Sequence, residues 1–286
     1  MRQNTILRSN QNNKILYITD LDKTLLGDDQ KVPKESITIL NRLMENGLLF
    51  TYATARSIVS ASKVTEGVHF TLPVITKNGV AIVDPQTREN ILFIAFSSEM
   101  KERLRLIMTN FGIYPLVYAY VNGQEKCMWV RSKENAATKR YLDSPERNGD
   151  HRLMPVDEFN ELFAYDIHYI IGMGEREDFV EAYAELQGKE ECRCFCEKQL
   201  YDDTYWLEIM PKEATKANAM LRLKELLVCE KMVCFGDGVN DISMFQIADE
   251  CYAVENAVDE LKQIATDVIG SNEDNGVARW LSDRYR

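Results

Sequence analysis

Short apolar runs that end in polar clusters, separated by segments of helical periodicity, constrain this chain more than any other feature. Ile15 to Thr19 is such a run and stops at Asp20; Leu48 to Ala53 is another and stops at Thr54. Between them Ile37, Leu40, Leu43 and Met44 recur at helical spacing, with Pro33 ahead of the segment and Gly47 just after it. Proline before and glycine after is the asymmetry of a helix start and stop. The unit is therefore β-α-β, and its recurrence predicts an α/β fold with a mainly parallel sheet. Leu72 to Ile75 gives a third run, closed by Asn78-Gly79. Near the other end a helix is expected over Lys216 to Leu227, then strands at Met232 to Phe235, Cys251 to Val254 and Asp267 to Ile269.

From roughly Arg88 to Glu208 the texture changes to polar helices and half-exposed strands. Val117 to Val121 and Lys126 to Val130 flank Asn122-Gly123, a hairpin signal because both residues tolerate positive φ. Ile167 to Ile171, a helix pattern at Phe179 to Leu186, then Cys192 to Cys196 and Tyr205 to Ile209 predict a second sheet carrying helices. The expected organisation is a parallel-sheet core over 1–87 and 209–286, interrupted by an inserted α+β domain over 88–208. A length of 286 residues allows one large domain or two ordinary ones at about 150 residues each.

With 34 Lys plus Arg against 45 Asp plus Glu, the net charge of −11 excludes a general nucleic-acid or anionic-membrane binder, which needs a cationic face. No apolar stretch approaches the roughly 18 residues of a membrane span. Met1 to Lys14 is polar and lacks the apolar centre of a secretory signal, so a cytoplasmic location is expected. The seven cysteines are an odd number in a chain that needs no staples, so they are expected as reduced thiols. Cys192, Cys194 and Cys196 share one face of a strand and are expected to line a buried face, because zinc sites usually space their cysteines wider. The three histidines, His69, His151 and His168, stand alone, which pushes any chemistry onto carboxylates.

The first apolar run leads directly into Asp20-Leu21-Asp22-Lys23-Thr24. Carboxylates one residue apart after a buried strand project into the crevice beyond the strand ends, where open α/β sheets bind ligands. One oxygen can attack an electrophile while the other carboxyl group transfers protons, and both can face Mg²⁺. Alone, the pair reads more readily as a surface Asx turn closing a strand, because Asp-x-Asp is common. A second cluster, Gly236-Asp237-Gly238-Val239-Asn240-Asp241, follows another apolar run; an N-cap accounts for one of its acids but not for two acids and an Asn beside two glycines. Gathering carboxylates requires a cation, and the candidates are Mg²⁺, Lys216 and Arg56. Thr54-Ala55-Arg56-Ser57 ends one strand and opens a helix, so it can hold an anion such as phosphate.

Together these four segments resemble the haloacid dehalogenase-like hydrolase superfamily, specifically its Cof-type, class IIB phosphatases. Asp20-Leu-Asp22-Lys-Thr24-Leu matches motif one, Thr54-Ala-Arg56 motif two, Lys216 motif three and Gly236-Asp237-Gly-Val-Asn240-Asp241 motif four. Ile75-Thr-Lys-Asn78-Gly79-Val and Asn272-Glu-Asp-Asn-Gly276-Val-Ala278 also look like this family. Motif three departs from the common pattern in Ala217 and Glu213, where glycines are frequent. The resemblance implies a Rossmann-like core with a C2-type cap, and a Mg²⁺-dependent phosphatase of small phosphorylated metabolites, sugar phosphates in particular. It implies Asp20 as nucleophile and Asp22 as general acid and base. Mg²⁺ is expected on the Asp20 carboxylate, the Asp22 main-chain carbonyl and Asp237, with Asp241 as a further ligand. Thr54, the backbone near Ala55, Arg56, Lys216 and Asn240 form the expected substrate-binding set. A phosphomutase, or a non-catalytic binding protein on the same fold, is the alternative. Arg131, His168 and Glu208 are unassigned polar residues of the insertion.

Overall fold

The computed structural model describes residues 14–144, 147, 149–198 and 203–285. The polar segment on which the expectation about a secretory signal rests lies, but for Lys14, outside the described residues. Two compact units result, one from Met1–Leu92 with Thr215–Arg286 and the other from Phe93–Ala214.

In the first unit the chain runs β1 (Ile15–Thr19), α1 (Lys34–Glu45), β2 (Leu49–Tyr52), α2 (Ile58–Val64), β3 (Val74–Thr76), β4 (Ala81–Val83) and β5 (Asn90–Phe93). The second unit contributes α3 (Ser98–Asn110), β6 (Leu116–Val121), β7 (Gln124–Val130), α4 (Ala136–Leu142), β8 (Leu153–Val156), β9 (Asp166–Gly174), α5 (Val180–Leu186), β10 (Cys192–Lys198) and β11 (Tyr205–Pro211). The first unit resumes with α6 (Lys216–Leu227), β12 (Lys231–Gly236), α7 (Ile242–Phe245), β13 (Glu250–Val254), α8 (Asp259–Lys262), β14 (Asp267–Ile269) and α9 (Gly276–Arg284).

The core sheet has the order β14-β13-β12-β1-β2, and every neighbouring pair is parallel. Parallel strands are covered on both faces, so they are apolar almost throughout. Leu16, Ile18, Phe50, Met232, Val233 and Cys234 accordingly have essentially no exposed surface. The helix between β1 and β2 follows the sequence pattern: Leu40 and Leu43 are buried, and Gly47 takes φ +97 to end it. An isolated parallel bridge from Ala53 to Ile75 continues the sheet toward a small antiparallel one, β3-β4-β5.

The second unit is built on a six-stranded sheet of order β10-β11-β9-β6-β7-β8, antiparallel except for β7 with β8. Asn122 and Gly123 join β6 to β7 with φ of 50 and 79, the turn expected of that pair. One face packs against Met100, Leu104 and Ile107 of α3 and Ala182 and Leu186 of α5. The three alternating cysteines of β10 lie on this face, Cys192 buried and Cys194 and Cys196 partly so. All seven cysteines are free. His168 is completely buried, its Nε2 3.0 Å from Glu125 Oε1, whereas Glu208 accepts from the Tyr169 hydroxyl and Arg131 is exposed. Among the described residues no helix is long and apolar enough to cross a membrane.

Candidate active site

The parallel register brings the two acidic clusters together. Thr19 is opposite Phe235, and the Asp20 N–H continues the ladder to the Phe235 carbonyl at 2.9 Å. Asp20 and Asp237 thus leave adjacent strands at the same carboxyl-terminal edge, and Thr54 leaves β2 beside them. Carboxylate oxygens of Asp20, Asp237 and Asp241 lie within 4.8 Å of one another.

Each carboxylate is held differently. Lys216, the first residue of α6, is 2% exposed, and its ammonium donates to Asp20 Oδ1 at 2.5 Å and to Asp241 Oδ1 at 2.7 Å. The other oxygen of Asp241 accepts from the Asp237 and Gly238 N–H groups at 3.0 and 3.1 Å, the bonds that shape the turn after β12. A side chain at Gly236 would clash with this carboxylate, since a Cβ there would sit 2.7 Å from Asp241 Oδ2. Asp237 Oδ1 accepts from the Thr24 hydroxyl at 3.0 Å, a contact that sequence reading did not single out, although Thr24 stands within the first motif. Asp22 points elsewhere: it is paired with Arg56, whose Nη2 lies 2.5 Å from Oδ1 and whose Nε lies 2.9 Å from Oδ2. Arg56 also donates to Ser60 and Gln30.

Burial raises the Asp20 carboxyl to about 7, against the pull of the Lys216 ammonium, and Asp241 adds to the rise. Burial likewise raises Asp237 to about 6, with Asp241 as the next cause. Two neighbouring carboxylates raised in this way favour bound cations over free charge. The donor set is all oxygen, the chemistry of a hard divalent cation, so these residues fit Mg²⁺. The carboxylate of Asp22 is not part of the cluster.

A cavity of about 390 Å³ opens in front of these residues. Asp20, Asp22, Ala55, Arg56, Asp237 and Asn240 line it, together with Lys23, Gly27, Asp28 and Gln30. Thr54 and Lys216 are buried behind it. The Thr54 hydroxyl accepts from the Arg56 N–H at 3.1 Å, so it fixes the turn that carries Arg56. The loop after β3 braces both. Lys77 and Asn78 donate their N–H groups to the carbonyls of Arg56 and Thr54 at 3.0 and 2.9 Å. Gly79, at φ +96, packs so closely on α6 that a Cβ would lie 2.1 Å from the Thr215 carbonyl oxygen. One loop therefore sets both the Thr54 turn and the start of the helix that carries Lys216, and only glycine permits the approach.

Carboxylates at the ends of adjacent parallel strands, a buried lysine between them and a polar cavity in front make a charged ligand site at the carboxyl edge of an α/β sheet, the place where enzymes of this architecture bind their ligands. The model of the haloacid dehalogenase-like hydrolase family matches residues 17–281, and the chain belongs to that family. A 5-amino-6-(5-phospho-D-ribitylamino)uracil phosphatase of Bacillus subtilis is 24% identical over 279 residues, covering 92% of this chain and 95% of the relative. Among solved structures, a Thermotoga maritima protein superposes with a TM-score of 0.74 at 23% identity, over 95% of this chain and 97% of that one. A sugar phosphatase of haloacid dehalogenase subclass IIB superposes with a TM-score of 0.66 at 18% identity, over 95% and 98%. These likenesses support the Rossmann-like core with an added cap sheet.

Proposed function

We propose that this chain is a Mg²⁺-dependent phosphatase that hydrolyses phosphomonoesters of small metabolites, sugar phosphates among them, through an aspartyl-phosphate on Asp20. The observation that carries this reading is the meeting of the Asp20, Asp237 and Asp241 carboxylates within 4.8 Å at the edge of a cavity sized for a small ligand. The activities named for the relatives, on a phosphoribityl compound and on sugar phosphates, support the substrate class. The inserted unit Phe93–Ala214 takes the part of the C2-type cap.

Lys216 holds Asp20 through Oδ1, which leaves Oδ2 for in-line attack on phosphorus. The new O–P bond forms as the ester P–O bond breaks, which splits one difficult displacement into two easier ones. Asp22 protonates the departing alkoxide, then takes a proton from the water that hydrolyses the acyl phosphate. Arg56 bonds both oxygens of Asp22, which orients that side chain for the second step. An entering phosphate competes for Arg56 and frees Asp22 for the first. Ala55 and Asn240, at the cavity wall, contact the phosphoryl oxygens, while Thr54 fixes the turn behind them. Asp20, Asp237 and Asp241, with the Asp22 carbonyl, would hold Mg²⁺, which would supply charge neutralisation between these acids and the anionic phosphoryl group.

Replacing Asp20 by Asn should lower hydrolysis of an aryl phosphate by roughly 1,000-fold or more with an unchanged circular dichroism spectrum. Near wild-type turnover by that variant would remove Asp20 as nucleophile. Release of free phosphate from a sugar phosphate, and not an isomeric sugar phosphate, separates the phosphatase from a mutase.

A further inference from the structure

The left-handed backbone at Lys23 is the feature of the site that the proposed chemistry does not use. Lys23 has φ 55, a region that costs an L-residue with a Cβ about 1 kcal/mol and costs glycine nothing. The turn is fixed around it: the Thr24 N–H donates to the Leu21 carbonyl at 3.2 Å, and Asn256 Nδ2 donates to the Lys23 carbonyl at 2.7 Å. A long cationic side chain is therefore held in a backbone position where it is unfavourable, between the Asp22 acid/base and the Thr24 that bonds Asp237. It lines the same cavity as Asp20 and Asp237.

The other cations at that cavity are committed. Lys216 is paired with Asp20 and Asp241, and Arg56 with Asp22. Lys23 is exposed and makes no ion pair among the described residues. The acids that share the cavity with it are Asp20, Asp22, Asp28 and Asp237, and Asp237 feels its charge, so a ligand that brings a second negative charge into this acidic cavity needs a cation of its own. We propose that Lys23 is a specificity-determining residue that pairs with a second anionic group, carboxylate or phosphate, on the leaving group of the phosphomonoester. This rests on the phosphatase reading and narrows its substrates to those with two anionic groups.

The test uses matched pairs that differ only in the second anion: glycerol phosphate against phosphoglycerate for a carboxylate, and a hexose monophosphate against its bisphosphate for a phosphate. Lys23→Gly is the informative variant, because glycine relaxes the turn and removes only the side chain, so its thermal midpoint should not fall. The kcat/KM ratio of dianionic-type to monoanionic-type partner should drop about tenfold in Lys23→Gly, the size of one ion pair at a partly desolvated site. Lys23→Arg should keep it. Asp28 is the same in every variant and cancels from the ratio. The arm in which the ratio drops tells carboxylate from phosphate. Calorimetric binding of the same pairs to the Asp20→Asn protein should show the same contrast without turnover. An unchanged or rising ratio in both arms overturns the role of Lys23. Absence of hydrolysis by the wild-type protein in every arm overturns the phosphatase reading instead.

Discussion

Lys216 is a buried cation whose removal leaves two carboxylates facing each other. In Lys216→Met the side-chain volume is nearly kept, but Asp20 and Asp241 lose their shared donor. Breaking a buried ion pair from one side typically costs about 3–5 kcal/mol, so urea denaturation without divalent ions should show a loss of that order. A loss below about 1 kcal/mol would mean that the acids do not depend on the lysine. The acids themselves were legible in the sequence, since each follows an apolar run that reads as a strand. Their partners were not. Arg56 reaches Asp22 across 34 residues and Thr24 reaches Asp237 across 213, and no local pattern encodes which donor a carboxylate finds. Arg56 was expected among the substrate-binding residues, and the structure pairs it with Asp22, the proposed acid and base.

At the scale of elements, periodicity served well where elements are long or fully buried. The helix expected over Lys216 to Leu227 and the strand at Ile15 to Thr19 have those bounds in the structure; the exposed three-residue strand at Asp267 to Ile269 also has its expected bounds, although it is neither long nor buried. Short pieces escaped: β4 has three residues, and β8 carries Pro155 and is mostly half-exposed, so neither offers enough alternation to score as a strand. The end of α6 shows a local rule broken. Val228 sits in the left-handed region at φ 52, ψ 51, and the Cys229 N–H closes the helix on the Lys224 carbonyl at 3.0 Å. Glycine is the residue of choice there, and a β-branched side chain is strained. Because Val228 is 70% exposed, Val228→Gly loses little packing. It should stabilise the protein by about 1 kcal/mol, read as a rise in thermal midpoint; a fall would show that the side chain contributes a contact worth more than the strain.

For the molecule as a whole, the acidic site couples stability to pH and to metal. Asp20 and Asp237 have folded pKa values of about 7 and about 6, above the roughly 4 of an unfolded carboxylate. Groups shifted this way hold protons in the native state that the unfolded chain has released, so the contribution of these two carboxyls to stability is full below about pH 4 and declines as pH rises toward about 7. A divalent ion bound on the same oxygens would replace those protons. Added Mg²⁺ should therefore raise the thermal midpoint more near pH 7 than near pH 5, with a chelator reversing it, and equal shifts at both pH values would place the ion elsewhere. The sequence by itself determined the α/β class, the interruption of the core by an inserted domain and the acidic residues at the strand ends. These follow from local periodicity and from where apolar runs stop, which are properties of neighbours along the chain. Only the tertiary structure decided that Lys216 lies buried between two acids, that Arg56 holds Asp22, and that one loop braces both Thr54 and the start of α6. Those depend on strand order and register, which bring together side chains that share no stretch of sequence.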